Sequence, residues 1–124
     1  MRLSLQGIRV FVVEDEALVL LELLDVLAEL GCVVAGSALR LDDAMAKAHD
    51  IECDLAVLDV NVAGQRIDEV AHILTRRGIP FLFVSGYERT ALPPEFQALP
   101  LLTKPYTKAT LKNALLACLP EPAA

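Results

Sequence analysis

Short apolar runs alternate with amphipathic stretches along the chain, and the alternation predicts five β-strands separated by helices. The first run, RVFVV at residues 9–13, is β-branched without polar alternation, as expected of a strand covered on both faces. Residues 16–30 are rich in Leu and Ala with Glu22, Asp25 and Glu29 among them, which reads as a helix stopped by Gly31. Residues 32–38 are a second strand candidate, weakened at its end by Gly36 and Ser37, and residues 41–49 a helix candidate carrying Ala44, Ala46 and Ala48. LAVL at 55–58 predicts a third strand ending at Asp59. Residues 60–65, with Gly64, read as a loop, and 66–77 as a third helix closed by Gly78. Pro80 opens a fourth strand, FLFV at 81–84, which ends at Ser85-Gly86. Residues 88–98 hold Pro93-Pro94 and allow only a short or broken fourth helix. Residues 99–103 predict an edge-like fifth strand, because Pro100 would be awkward in a central one. Thr107 then caps a last amphipathic helix to about Leu119. Strands and helices in this order imply βα units with right-handed crossovers. The expectation is one α/β domain over residues 1–124, a doubly wound five-stranded parallel sheet with flanking helices and a degenerate fourth helix.

Composition narrows the classes. A chain of 124 residues that is 55% hydrophobic and 23% charged has the apolar content for a filled core, unlike a disordered segment. No apolar run approaches the roughly 18 residues of a membrane-spanning helix. The first residues carry one Arg and no sustained apolar stretch, so no signal peptide is expected. A net charge of -6 disfavours a surface that gathers nucleic-acid phosphates. Cys32, Cys53 and Cys118 are odd in number, far apart and without a CxxC pair, which reads as reduced thiols in a cytoplasmic protein.

The polar residues are concentrated where an open parallel sheet binds ligands, beyond the carboxyl ends of its strands. The first strand ends in Glu14-Asp15, the third in Asp59, the fourth in Ser85 and the fifth in Lys104-Pro105. Each has a bland reading alone: acids that cap the next helix, a turn serine, a loop Lys-Pro. Four converging strand ends weaken those readings together. Carboxylates about 5 Å apart repel by roughly 3 kcal/mol per pair at an effective dielectric near 20, so a cluster of them persists where a hard cation neutralises it. An all-oxygen set with few protein ligands suits Mg2+. Asp15 and Asp59 are the expected direct ligands, the backbone carbonyl of Asn61 a third, and Glu14 a ligand through water. One cation, the Ser85 hydroxyl and the Lys104 ammonium around a carboxylate form the equipment for moving a phosphoryl group onto Asp59.

VVEDE at 12–16, LAVLDVNVAG at 55–64, FVSGY at 83–87 and TKPY at 103–106, in this order at strand ends, resemble a response-regulator receiver domain of two-component signalling. The resemblance spans about residues 6–119 and implies the flavodoxin-like, CheY-like fold. It implies Asp59 as phospho-acceptor, Glu14 and Asp15 as the acidic Mg2+ pocket, Ser85 as switch hydroxyl, Lys104 as phosphate-contacting lysine and a cis bond before Pro105. Receivers usually carry an aromatic three residues before that lysine; here the position is Leu101, and Tyr87 is the nearest substitute. FVSGY is similar to the FATGUY subgroup, whose members resemble partners of HWE or HisKA2-type sensor histidine kinases. The implied partners are such a kinase or a phosphotransfer protein, plus a downstream protein that docks on the 86–98 loop, the fifth strand and the last helix. Only residues 120–124 follow that helix, so no output domain is expected, and the chain would signal by docking or serve as a phosphate sink. On this reading it catalyses only its own phosphorylation and dephosphorylation.

Three readings from other classes share parts of this pattern. A haloacid-dehalogenase-like phosphatase needs an acid two residues after its Asp nucleophile, and Asn61 has no proton to give. A flavodoxin-like cofactor carrier wants Gly, Ser or Thr in the first βα turn, which here is Glu14-Asp15-Glu16. A pseudo-receiver that docks without phosphotransfer is kept open by Leu101. His49 and His72 read as surface or packing residues, and Arg66, Arg76 and Arg77 as solvated charges flanking the third helix.

Overall fold

β1 (Arg9–Val13), β2 (Val33–Ala38) and β3 (Leu55–Asp59) are followed by β6 (Phe81–Ser85) and β7 (Leu101–Thr103) in one sheet, as described by a computed structural model. It describes residues 4–62, 65–86, 92 and 94–120. The strand order is β2-β1-β3-β6-β7, with parallel pairing throughout. α1 (Ala17–Glu29) and α4 (Lys108–Cys118) cover one face, where Leu20, Leu23, Leu27, Leu111 and Leu115 pack on Val10, Val12, Leu55, Val57, Leu82 and Val84. α2 (Leu41–Ala48) and α3 (Asp68–Arg76) cover the other, packing Ala44, Ala48, Val70 and Leu74 on Phe11, Val13, Ala56, Leu58 and Phe83. β1, β3 and β6 are sandwiched between the layers, which is why their sequences are continuous apolar runs rather than alternating ones.

Helix ends follow the local chemistry. Gly31 and Gly78 sit at φ +90 and +73, the left-handed conformation that ends α1 and α3. Thr107 caps α4 through a reciprocal box with Thr110.

The expected architecture stands, with corrections in the connections. The stretch expected as a loop at 60–65 carries a two-residue antiparallel ladder, β4 (Asn61–Val62) with β5 (Gln65–Arg66). Because Arg66 belongs to that ladder, α3 begins at Asp68, two residues later than its apolar periodicity suggests. The fifth strand begins at Leu101 rather than Leu99, since the Leu99 N–H turns back to the Phe96 carbonyl at 3.1 Å. Between β6 and β7 the described residues form a short 3-10 turn, Pro94–Phe96, in agreement with a degenerate fourth helix; Pro93 lies outside the described residues. Arg77 is not a merely solvated charge: its guanidinium donates to the Ala48 carbonyl at 2.9 Å and ties α3 to α2. Arg9 departs from the buried run it opens, being exposed and paired bidentately with Asp54 at 3.2 and 3.0 Å. No described helix is long and apolar enough to cross a membrane.

Candidate functional site

The sheet grows from β1 to β2 in one direction and from β1 to β3 in the other. Connections therefore leave the carboxyl ends of β1 and β3 on opposite faces, and the gap between them is where such sheets bind ligands. Glu14 and Asp15 follow β1, and Asp59 ends β3. Backbone bonds extend the ladder past the strand ends: Glu14 N–H donates to Ala38 at 3.1 Å, Val60 N–H to Val84 at 3.1 Å and Lys104 N–H to Ser85 at 2.9 Å. Register then sets Ser85 opposite Thr103 and Asp59 opposite Val84. One carboxylate oxygen from each of Glu14, Asp15 and Asp59 lies within 4.8 Å of the others.

Burial marks this edge. Among the described residues three polar side chains are buried, Glu14 at 3% exposed, Asp59 at 9% and Ser85 at 2%, and all three belong to the site. Lys104 Nζ donates to Glu14 Oε1 at 2.8 Å and to Asp59 Oδ2 at 3.1 Å. Glu14 Oε2 accepts from the Glu16 N–H at 3.1 Å, so the glutamate also ties down the start of α1. Burial pushes the Glu14 carboxyl upward; its bonds to Lys104 and Glu16 act the other way, and the net direction is up. Burial alone would lower Lys104, but its hydrogen bonds to Glu14 and Asp59 prevail and hold the ammonium above the ordinary lysine range. Tyr106 lies just beyond, its phenol shifted up by burial.

Three carboxylates face one ammonium here, so the site has an excess of negative charge and only oxygen donors from its carboxylates. That donor set fits a hard divalent cation such as Mg2+. Asp15, Asp59 and Glu14 are the side chains that would hold it.

No family model matches the chain, and no curated protein matches it. Among solved structures it is similar to SdrG from Sphingomonas melonis Fr1, with 33% identity over 94% of this chain and 98% of that one, at a TM-score of 0.80. It is also similar to the PhyR response regulator REC domain of Erythrobacter litoralis, with 27% identity over 96% and 97% of the two chains and a TM-score of 0.79. The chain belongs to the response-regulator receiver family. A second SdrG structure, titled as the BeF3-activated conformation from Pseudomonas melonis Fr1, matches at 33% identity over 94% and 98% of the chains with a TM-score of 0.75.

Within this receiver, the expected residues Glu14, Asp15, Asp59, Ser85 and Lys104 meet at one edge of the sheet. The Lys104-Pro105 bond is cis. Asn61 opens β4 two residues past Asp59. Leu101 pairs with Phe83 in register and packs in the α2–α3 half of the core. Tyr87, expected as its substitute, lies outside the described residues. The three cysteines are free thiols, each shifted up by burial, Cys118 to about 11. His72, expected as a surface or packing residue, has its Nε2 2.7 Å from Glu95 Oε1 and its ring 5.2 Å from that of Phe96. No spacing signal could have paired His72 with Glu95, since the turn that carries Glu95 has no periodicity.

Proposed function

We propose that this receiver accepts a phosphoryl group on Asp59 from a sensor histidine kinase or a histidine phosphotransfer protein, in a Mg2+-dependent reaction. The observation that carries the reading is the position of Lys104 Nζ, in hydrogen-bond contact with both Asp59 and Glu14 at a buried three-carboxylate edge. An Asp59 oxygen attacks phosphorus in line, the P–N bond of the phosphohistidine breaks, and the departing imidazole keeps the electron pair and takes a proton from water. The Lys104 ammonium and the Ser85 hydroxyl donate to phosphoryl oxygens as charge builds on them. Asp15, Asp59 and the Asn61 carbonyl, with Glu14 through water, would hold a Mg2+ ion, which would offset the remaining negative charge. Hydrolysis of the acyl phosphate by water returns Asp59, and no separate substrate is turned over.

The kinase is of the HWE or HisKA2 type, a reading supported by the FVSGY segment. Signalling proceeds in the cytoplasm by docking of a downstream protein on the phosphorylated form, or by draining phosphate from another receiver. The BeF3-activated form named for SdrG supports a two-state reading, since beryllofluoride on a carboxylate mimics an acyl phosphate. Incubation with phosphoramidate, a small P–N donor, tests this by phosphorus NMR. An acyl-phosphate resonance that needs Mg2+ and disappears with a chelator is expected; its absence under both conditions would favour a docking module without phosphotransfer.

A further inference from the structure

We propose that the flank of α1 turned toward β2 is an interface between two copies of this chain, paired antiparallel about a two-fold axis. The large hydrophobic side chains exposed among the described residues all lie in one stretch of the chain. They are Leu18 and Leu21 on α1, Val33 and Val34 on β2, and Leu39 just after it. Leu18 is 76% exposed and Leu21 57%. Single exposed leucines need no explanation, but their confinement to one helix and one edge strand marks a contact surface.

The two flanks of α1 differ. Val19, Glu22 and Val26 line a cleft with Pro105, Tyr106 and Lys108, so that flank is turned toward α4. Ala17, Leu21, Leu24 and Ala28, spaced four, three and four apart, form the other flank and carry no charge. Val34 lies on the same face of the sheet, because it pairs with Val10, which packs beneath α1.

The order of residues on this flank fits a second copy. Ala-Leu-Leu-Ala at these spacings reads the same in both directions. Antiparallel pairing about the midpoint of Leu21 and Leu24 sets Ala17 against Ala28 of the second copy and Leu21 against its Leu24, the self-complementarity a two-fold axis requires. Charge selects the same direction. Every charged residue from Glu14 to Leu30 is acidic, so a parallel pair would set these acids level with one another. Ala38 accepts from the Glu14 N–H, which places exposed Arg40 at the end of the sheet where α1 begins. The antiparallel pair brings that arginine toward Glu29 and the carboxyl end of α1 in the second copy, where a cation is favoured.

The backbone edge of β2 is closed to strand pairing. A bulge between Val34 and Gly36 interrupts it, and Lys47 Nζ donates to the Ser37 carbonyl at 2.7 Å. The contact is therefore made by side chains. A flank about 20 Å long buries less than the roughly 800 Å² per partner of a standard interface, so the dimer is weak and concentration-dependent.

The test is sedimentation equilibrium of the full chain from micromolar concentration to about 0.5 mM, where weak association registers. Wild type shifts from monomer to dimer across that range. Leu21→Glu, which enters a two-fold interface twice, raises the dissociation constant about a hundredfold or more. Its thermal midpoint in dilute solution matches wild type, because Leu21 is exposed in the monomer. Oxidative cross-linking read by intact mass checks the direction of pairing. A mixture of Ala17→Cys and Ala28→Cys chains yields a disulfide joining one of each, while Ala17→Cys alone gives no more cross-link than wild type. A wild type that stays monomeric throughout would overturn the inference and leave the flank to a different protein. A dimer that survives Leu21→Glu, or a mixture that does not cross-link, would overturn it as well.

Discussion

The Lys104 ammonium donates to Glu14 at 2.8 Å across a sequence separation of 90 residues, joining the end of β1 to the end of β7. The same nitrogen reaches Asp59 at 3.1 Å. Two buried carboxylates therefore share one cation of the protein's own. Lys104→Met leaves both without it and is expected to destabilise the fold by about 3 kcal/mol at neutral pH. Glu14, whose carboxyl burial already raises, then holds a proton that the unfolded chain has released, so the deficit shrinks as pH falls. Urea unfolding at pH 7 and pH 5 checks both statements.

The raised Lys104 has an alkaline consequence. Native Lys104 keeps its proton above the ordinary lysine value of 10.5, while the unfolded chain releases it. The native state then binds more protons, and stability falls as pH rises beyond 10.5, having been fully present below it. The difference in slope between wild type and Lys104→Met in alkaline urea melts isolates this contribution; equal slopes would refute it.

Ser85 is 2% exposed at the end of β6, where its hydroxyl can reach a phosphoryl oxygen on Asp59 only if the group sits inside the site. Ser85→Ala removes one donor to developing charge and should slow phosphoryl transfer about tenfold or more, without abolishing it. Stopped-flow comparison with Asp59→Asn, which should not react, separates slowing from loss.

Thr107 opens α4 three residues after Lys104 and donates its backbone N–H to Thr110 Oγ1 while accepting from the Thr110 N–H, each at 3.0 Å. Thr107→Ala is expected to cost about 1 kcal/mol. Thermal unfolding with and without Mg2+ should show the same loss in both, because the cap does not touch the carboxylates.

Gly31 ends α1 at φ +90, and a Cβ there would stand 2.5 Å from Gln6 Oε1 and 3.3 Å from the Gln6 Cα. The side chain can swing away but the backbone cannot. Gly31→Ala should destabilise by at least about 1 kcal/mol, the ordinary penalty of a left-handed non-glycine residue. A midpoint unchanged in urea would contradict this.

The sheet and its functional edge were legible because a parallel α/β sheet converts sequence order into spatial order. A run such as LAVLD announces both a buried strand and the residue it delivers at its end. Convergence of Glu14, Asp15, Asp59, Ser85 and Lys104 follows from that topology, without knowledge of a single contact. The β4–β5 ladder escaped notice because two residues per strand carry no period. Arg77 escaped because its partner is a backbone carbonyl on another helix, to which sequence patterning is blind. Phe96 was hidden inside a stretch whose prolines argue only against a helix, and its contacts with Phe83 and His72 depend on where a short turn lands.

The most direct test of the phosphoacceptor reading is intact mass after incubation with acetyl phosphate and Mg2+, for wild type and Asp59→Asn. The account predicts one added phosphoryl group in wild type, none without Mg2+ and none in the variant. An adduct that persists in Asp59→Asn, or none in wild type despite bound Mg2+, would contradict it.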